Sequence, residues 1–272
     1  MPTSSRFAAL TFLLLATSLP GTLPAVEIIG HRGASHDAPE NTLASFKLAW
    51  AQGTDAIELD LWLSTDGKLI VFHDGDTKRI GKTNQKISAL SWADVQALDV
   101  GEWKGPEFKG ERIPTLEAVL ATIPAGKRAV LELKCGPEIV PEFARVVKAS
   151  GQPAKAMCVI SFNEKALAAS KQALPELDHY FLAAFKKDAK TGAAPVLAPL
   201  VAKAKANHFD GLDLNFDAPI SKEFMTETKA AGLKLFTWTV DDPAVAKQQA
   251  EAGADGVTTN RPGWLREQLQ AK

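Results

Sequence analysis

Beyond residue 25 the chain alternates between two kinds of stretch: short β-branched or apolar runs, and Ala-rich segments whose apolar positions recur at helical spacing. The runs predict strands at Val26–Gly30, Ala56–Leu63, Leu69–His73, Ala129–Leu133, Met157–Ser161, Tyr180–Ala183, Gly211–Leu214, Leu233–Thr239 and Gly256–Thr258. The segments between them predict helices at Asn41–Gln52, Thr115–Thr122, Pro137–Ser150, Asn163–Leu174, Val196–Asn207, Ser221–Ala231, Pro243–Ala252 and Arg261–Gln270. Nine strands are one too many for a closed barrel of eight. The surplus has a local cause in Thr65-Asp66-Gly67-Lys68, since Asp-Gly favours a two-residue hairpin turn. Pairing Thr65 with Lys68 sets Leu63 opposite Ile70, Trp62 opposite Val71 and Asp60 opposite His73. The third run then folds back antiparallel on the second. Eight parallel strands with eight helices remain, which predicts an α/β fold, a (β/α)8 TIM barrel.

The polar, Gly-rich stretch at about 74–114, with Trp92, Trp103 and Phe108, does not fit the repeat. It leaves the carboxyl end of the second strand, where barrel active sites lie, and a connection this long is usually functional. We read it as a small inserted cap in a single barrel spanning residues 26–272.

The formal net charge is −1 and no basic block is present, so a nucleic-acid partner is not expected. Arg6 precedes an apolar run from Phe7 to Leu19, followed by Pro20, Gly21 and Ala25. That pattern predicts a signal peptide over residues 1–25 and a secreted or periplasmic protein with no stable membrane anchor after cleavage. The apolar run is shorter than the roughly 20 residues a membrane span needs. Export permits disulfides, but Cys135 lies beyond the end of one predicted strand and Cys158 near the start of the next, so the two are not expected to pair.

The chemistry is expected at the carboxyl ends of the strands. The first strand ends in His31-Arg32-Gly33. The second carries Glu58 and Asp60, two residues apart and therefore on one face. Two such carboxylates repel unless a cation or proton intervenes, and hard ions such as Ca²⁺ or Mg²⁺ prefer oxygen ligands. The hairpin brings in His73. The run Ala129–Leu133 adds Glu132 and, two residues on, Lys134. Each piece alone is commonplace. Together, three carboxylates, two histidines, Arg32 and Lys134 converging on one mouth suit a dianion-like transition state held by a metal. The histidines suit general acid–base work near neutral pH.

These residues resemble the glycerophosphodiester phosphodiesterase family. The likeness runs from about Glu27 to the C-terminus. It includes His31-Arg32-Gly33, Pro39-Glu40-Asn41-Thr42, Glu58-Leu59-Asp60, Thr65-Asp66-Gly67 leading to His73-Asp74, Arg112-Ile113-Pro114-Thr115-Leu116, Glu132-Leu133-Lys134, Ser161-Phe162, Trp238-Thr239-Val240 and Asp255-Gly256-Val257. The resemblance implies one divalent cation, Ca²⁺ or Mg²⁺, on Glu58, Asp60 and Glu132, with His31 and His73 as the catalytic pair. It implies hydrolysis of a small-molecule glycerophosphodiester to glycerol 3-phosphate and an alcohol. Arg32 and Lys134 are expected to bind the phosphodiester. His31 is assigned to take the attacker's proton and His73 to protonate the leaving alcohol, the reverse staying open. The attacker is water, or the glycerol 2-hydroxyl through a cyclic phosphate. Trp238 packs either on the glycerol carbons or as rim filler, and Phe162 lines the pocket. Glu40 orients Arg32 or a histidine, or caps the Asn41 helix. Where the family usually has Asn after Trp-Thr-Val, this chain has Asp241, a change expected to touch the mouth rather than the chemistry. His36, His179 and His208 are read as surface or structural.

Two rivals follow. A phospholipase-type barrel acting on intact lipid would need apolar loop tips around the mouth. An exported protein that binds phosphodiesters without cleaving them would leave every acid–base residue idle.

Overall fold

The computed structural model describes residues 26–193 and 195–271; the expected signal peptide lies outside them. Eight parallel strands close into a barrel: β1 (Glu27–Gly30), β2 (Ala56–Leu63), β4 (Arg128–Leu133), β5 (Met157–Ser161), β6 (Asp178–Ala183), β7 (Gly211–Asn215), β8 (Lys234–Trp238) and β9 (Gly256–Thr259), with β1 pairing both β9 and β2. The ninth, β3 (Leu69–Val71), pairs antiparallel with the end of β2. The helices are α1 (Leu43–Ala51), α2 (Trp92–Ala97), α3 (Leu116–Leu120), α4 (Val140–Ala149), α5 (Glu164–Ala173), α6 (Ala198–Ala206), α7 (Lys222–Ala230), α8 (Pro243–Ala252) and α9 (Pro262–Gln270). Among them α2, inside the cap, was not foreseen. No helix among the described residues is long and apolar enough to cross a membrane.

Strand parity explains both layers. In β2 and β4 the residues Ile57, Leu59, Leu61, Ala129, Leu131 and Leu133 point outward into the large core beneath the helices. Each such leucine stabilises the fold by about 2 kcal/mol through burial. Their alternates, Ala56, Val130, Cys158, Ile160, Tyr180, Leu182 and Phe236, fill the barrel interior, where Tyr180 and Phe236 stack with centroids 4.7 Å apart. Glu58, Asp60 and Glu132 share that inward parity, with Glu58 level with Val130 and Glu132 level with Ile160, and are almost fully buried. Cys135 and Cys158 are both free thiols.

The hairpin register differs from expectation by one residue. Leu61 faces Val71, Trp62 faces Ile70 and Leu63 faces Leu69. The loop has three residues, because Ser64 and Lys68 close it and Gly67 takes the left-handed conformation at φ +77°. Asp66 is thereby freed to accept hydrogen bonds from Ser64 Oγ and from the backbone N–H of Trp92 in the cap, at 2.6 and 2.9 Å. Phe72, not His73, pairs with Asp60. His73 lies just past the pairing, with its carbonyl held by Trp62 Nε1 at 3.3 Å.

The cap has its own core of Phe72, Ile80, Ile87, Leu90, Val95, Leu98 and Val100 on the outer face of β3.

Candidate active site

The turn after β1 sets the first residues. Arg32 adopts φ +55° and Gly33 φ +87°. A Cβ on Gly33 would lie 2.4 Å from Ser45 Oγ, so only glycine lets the turn close against α1. Ser45 Oγ and the Asn41 N–H both donate to the Arg32 carbonyl, at 2.9 and 3.1 Å. The Arg32 N–H donates to Glu58 Oε2 at 2.9 Å. Thr42, not Glu40, caps α1 by accepting from Ser45 N–H. Glu40 instead accepts from Arg32 Nη1 at 2.8 Å.

His31, Arg32, Glu58, His73, Glu132, Lys134, Phe162 and Trp238 all line one cavity of about 110 Å³ at the carboxyl end of the barrel. Asp60 is packed behind them. A larger groove of about 530 Å³ runs between the 107–113 stretch of the cap and helices α1 and α3, and carries none of these side chains.

Parallel register sets Asp60 beside Glu132 on adjacent strands. Glu58, Asp60 and Glu132 each offer an oxygen within 4.8 Å of the other two. Burial, reinforced by the charges of Asp60 and Glu132, holds the Glu58 carboxyl well above its ordinary range. Burial and the charge of Asp60 push Glu132 up to about 8. Asp60 goes the other way. Burial opposes its ionisation, but Lys134, Arg32, His73 and a hydrogen bond from Asn41 outweigh that and draw it down to about 2. Asn41 Nδ2 donates to Asp60 Oδ2 at 2.8 Å, and Lys134 Nζ lies 2.9 Å from Glu132 Oε1 and 3.4 Å from Asp60 Oδ1. Asp60 Oδ1 is buried without a hydrogen-bond partner.

Both histidines are anchored through Nδ1. His31 Nδ1 lies 2.7 Å from Asn260 Oδ1. The amide orientation follows from its other contacts. Asn260 Nδ2 donates to Asp241 Oδ2 at 2.6 Å, while Oδ1 accepts from Ser35 Oγ at 2.9 Å. Oδ1 therefore faces His31, Nδ1 carries the proton, and Nε2 is left with its lone pair. Burial, then the nearby Arg32 charge, lowers His31 to about 4, so the ring is neutral at pH 7. His73 Nδ1 donates to Asp74 Oδ1 at 2.7 Å. Burial lowers its basicity too, against the pull of Asp60. Arg79, from the cap, donates to Asp74 Oδ2 from Nε at 2.7 Å and to both Glu40 oxygens at 2.7 Å. One cap side chain thus braces the partners of His73 and of Arg32 together.

Sequence reasoning missed Asn41, Asp74, Arg79 and Asn260 as supporting residues, and Asp213 as a lining residue. Asp241, expected to touch the mouth, orients the Asn260 amide that contacts His31. Asp213 could have been found as an acid at an inward position of the run Gly211–Leu214. It is 3% exposed and lines the cavity. Burial, then the charge of Glu132, raises its carboxyl well above the usual range. Trp238 donates from Nε1 to the Asp213 carbonyl at 3.3 Å and meets Phe162 edge-on, centroids 5.5 Å apart. His179 is a structural residue, buried between Ser170 Oγ and the Leu177 carbonyl.

Residues 31–264 match the model of the glycerophosphoryl diester phosphodiesterase family. The chain is 33% identical over 243 residues to a glycerophosphodiester phosphodiesterase of Caldanaerobacter subterraneus subsp. tengcongensis, covering 88% of this chain and 95% of that protein. It is 30% identical over 251 residues to one of Bacillus subtilis, covering 86% and 83%. A solved phosphodiesterase of Oleispira antarctica, in complex with the product sn-glycerol-3-phosphate, superposes with a TM-score of 0.81 at 29% identity, covering 90% of this chain and 97% of that one.

Proposed function

The chain belongs to the glycerophosphoryl diester phosphodiesterase family, and from that premise we propose that it releases glycerol 3-phosphate by proton transfer through His31 and His73, with one divalent cation, Ca²⁺ or Mg²⁺, on Glu58, Asp60 and Glu132. The observation that carries this reading is the pairing of two Nδ1-anchored histidines with three clustered acids around one cavity.

The three acids fit a hard cation. They are oxygen donors, they lie close enough to share one ion, and Asp60 Oδ1 is buried with no hydrogen-bond partner, only the Lys134 ammonium 3.4 Å away. When bound, such a cation neutralises charge on the phosphoryl oxygens and orients the phosphate. Arg32 and Lys134 add fixed positive charge at the same wall. His31 Nε2 accepts the proton of the attacking hydroxyl as its oxygen bonds to phosphorus. His73 Nε2 gives its proton to the leaving oxygen as the second P–O bond breaks. The division of labour follows from their partners. Burial lowers both histidines, but the anionic Asp74 offsets part of that at His73, which therefore takes up the Nε2 proton more readily than His31, to which Asn260 offers only a neutral amide oxygen. Arg79 and Glu40 hold these groups in place.

A soluble substrate is supported over intact lipid. The apolar residues of the cap are used up in its own core, leaving Trp103 exposed there at 37%; past the strand ends Phe162 and Phe216 are also exposed, at 48% and 50%, but Phe162 packs edge-on against Trp238 in the cavity wall. Export after cleavage at Ala25 remains part of this proposal, resting on the leader pattern alone.

The histidine roles are separated by leaving group. His73→Ala should lose about 10²–10⁴-fold in kcat on glycerophosphocholine and far less on glycerophospho-p-nitrophenol, whose leaving group needs no proton. His31→Ala should lose comparably on both. Near wild-type turnover by either variant, or the reverse pattern, would overturn the assignment.

A further inference from the structure

Asp213 is the one acid on the apolar side of the cavity. On β7 its register neighbours are Leu182 and Phe236, both inward and buried. Ile160, Leu182, Phe162 and Trp238 line the wall around it, while His31, Arg32, His73 and Lys134 line the opposite side. Its Oδ1 is buried and has no hydrogen-bond partner. A buried polar group left unpaired is destabilising, and an apolar side chain would fill this layer without that cost. Phosphate charge belongs with the cations and the acidic trio across the cavity. What reaches Asp213 from there is the carbon part of the substrate. Its methylenes can pack on Leu182 and Trp238, and its hydroxyls need a polar partner.

We propose that Asp213 is a specificity-determining residue that hydrogen-bonds a hydroxyl of the glycerol moiety, so that the cavity selects a polyol phosphate over an alkyl phosphate. This rests on the glycerophosphodiester reading above. A site built to bond a hydroxyl rejects the analogue lacking it, because the buried polar group is then left unpaired.

The test compares glycerol 3-phosphate with n-propyl phosphate, which differ only in two hydroxyls. Affinities of the full-length mature protein would be measured by calorimetry with Ca²⁺ or Mg²⁺ present. Wild type should prefer glycerol 3-phosphate by about tenfold or more. Asp213→Leu should abolish the preference by weakening glycerol 3-phosphate alone. Asp213→Asn, which can still donate and accept, should keep most of it. Asp213→Leu should also melt at or above the wild-type temperature, since no partner is lost. Equal weakening of both ligands, no weakening, weakening confined to n-propyl phosphate, or a lowered melting temperature would overturn the proposal. Turnover of glycerophosphocholine by the same wild-type sample reads the underlying function separately. A hydroxyl preference without turnover would sink that function and leave the role of Asp213 standing.

Discussion

Replacing Glu132 by Gln keeps its shape and removes its charge, which isolates the strain in the acidic trio. Burial and Asp60 push the Glu132 carboxyl up to about 8, from 4.5 when unperturbed. Between those values the cation-free fold holds a proton that the unfolded chain has released. The native state then binds more protons than the unfolded one, so stability falls as pH rises. The histidines act lower down and with opposite sign. His31 and His179, lowered by burial from 6.5 to about 4, add stability between those pH values and nothing above them. The histidines are therefore silent from about pH 7 to 9, where the buried thiols Cys135 and Cys158, pushed up to about 11 and 12, act in the same direction as Glu132, so that the difference between wild type and Glu132→Gln isolates the carboxyl. By pH 9 an ionised Glu132 costs the cation-free fold on the order of 4 kcal/mol relative to a neutral group. About 1 kcal/mol of that accumulates between pH 7 and 9, equivalent to roughly 3 °C in melting temperature. Raised Glu58 and Asp213 add in the same direction. Melting followed by circular dichroism in chelator should show wild type losing stability across the window. Glu132→Gln should lose less, and melt roughly 10 °C above wild type at pH 9. Adding Ca²⁺ or Mg²⁺ should stabilise wild type, more at pH 9 than at pH 7, because fewer protons must be displaced. The variant should lose most of that response. A wild-type melting temperature in chelator that stays level or rises from pH 7 to 9, or a variant with the full cation response, would refute the reasoning.

Arg79→Ala removes the brace shared by Asp74 and Glu40 and should lower kcat on glycerophosphocholine by roughly 10–100-fold; the loss should shrink on glycerophospho-p-nitrophenol, and an equal loss on both would place the effect at Arg32 instead. Asn260→Leu leaves His31 Nδ1 without its acceptor and should lower kcat by a similar factor on both substrates, with unchanged cation stabilisation; intact kcat would contradict the tautomer assigned to His31. Mass spectrometry of the protein recovered from the exported fraction should give an N-terminus at Val26; an intact Met1 would contradict the signal-peptide reading.

Much of the fold was legible because strand parity leaves a direct trace. Outward Leu59 and Leu131 alternate with inward Glu58, Asp60 and Glu132, so both the helical shell and the acidic cluster appear in the order of residues. The hairpin was legible as a turn but not as a register. Asp-Gly suits two-residue and three-residue loops alike, and the choice fell to Ser64 and to Asp66, which anchors the cap. The supporting network was not legible. Asn260 lies 229 positions from His31, and Arg79 lies 39 from Glu40. Residue type alone does not reveal partners that only barrel closure and cap docking bring together. Asp213 was open to the parity argument, and was passed over because a single acid in a strand has no neighbouring motif to mark it.

The most direct test of the central claim is the release of glycerol 3-phosphate from glycerophosphocholine by purified mature protein, first in chelator and then with Ca²⁺ or Mg²⁺ restored. The account predicts little release in chelator and recovery with the cation. Undiminished release in chelator would contradict the role given to Glu58, Asp60 and Glu132, and no release under any condition from folded protein would contradict the proposed function itself.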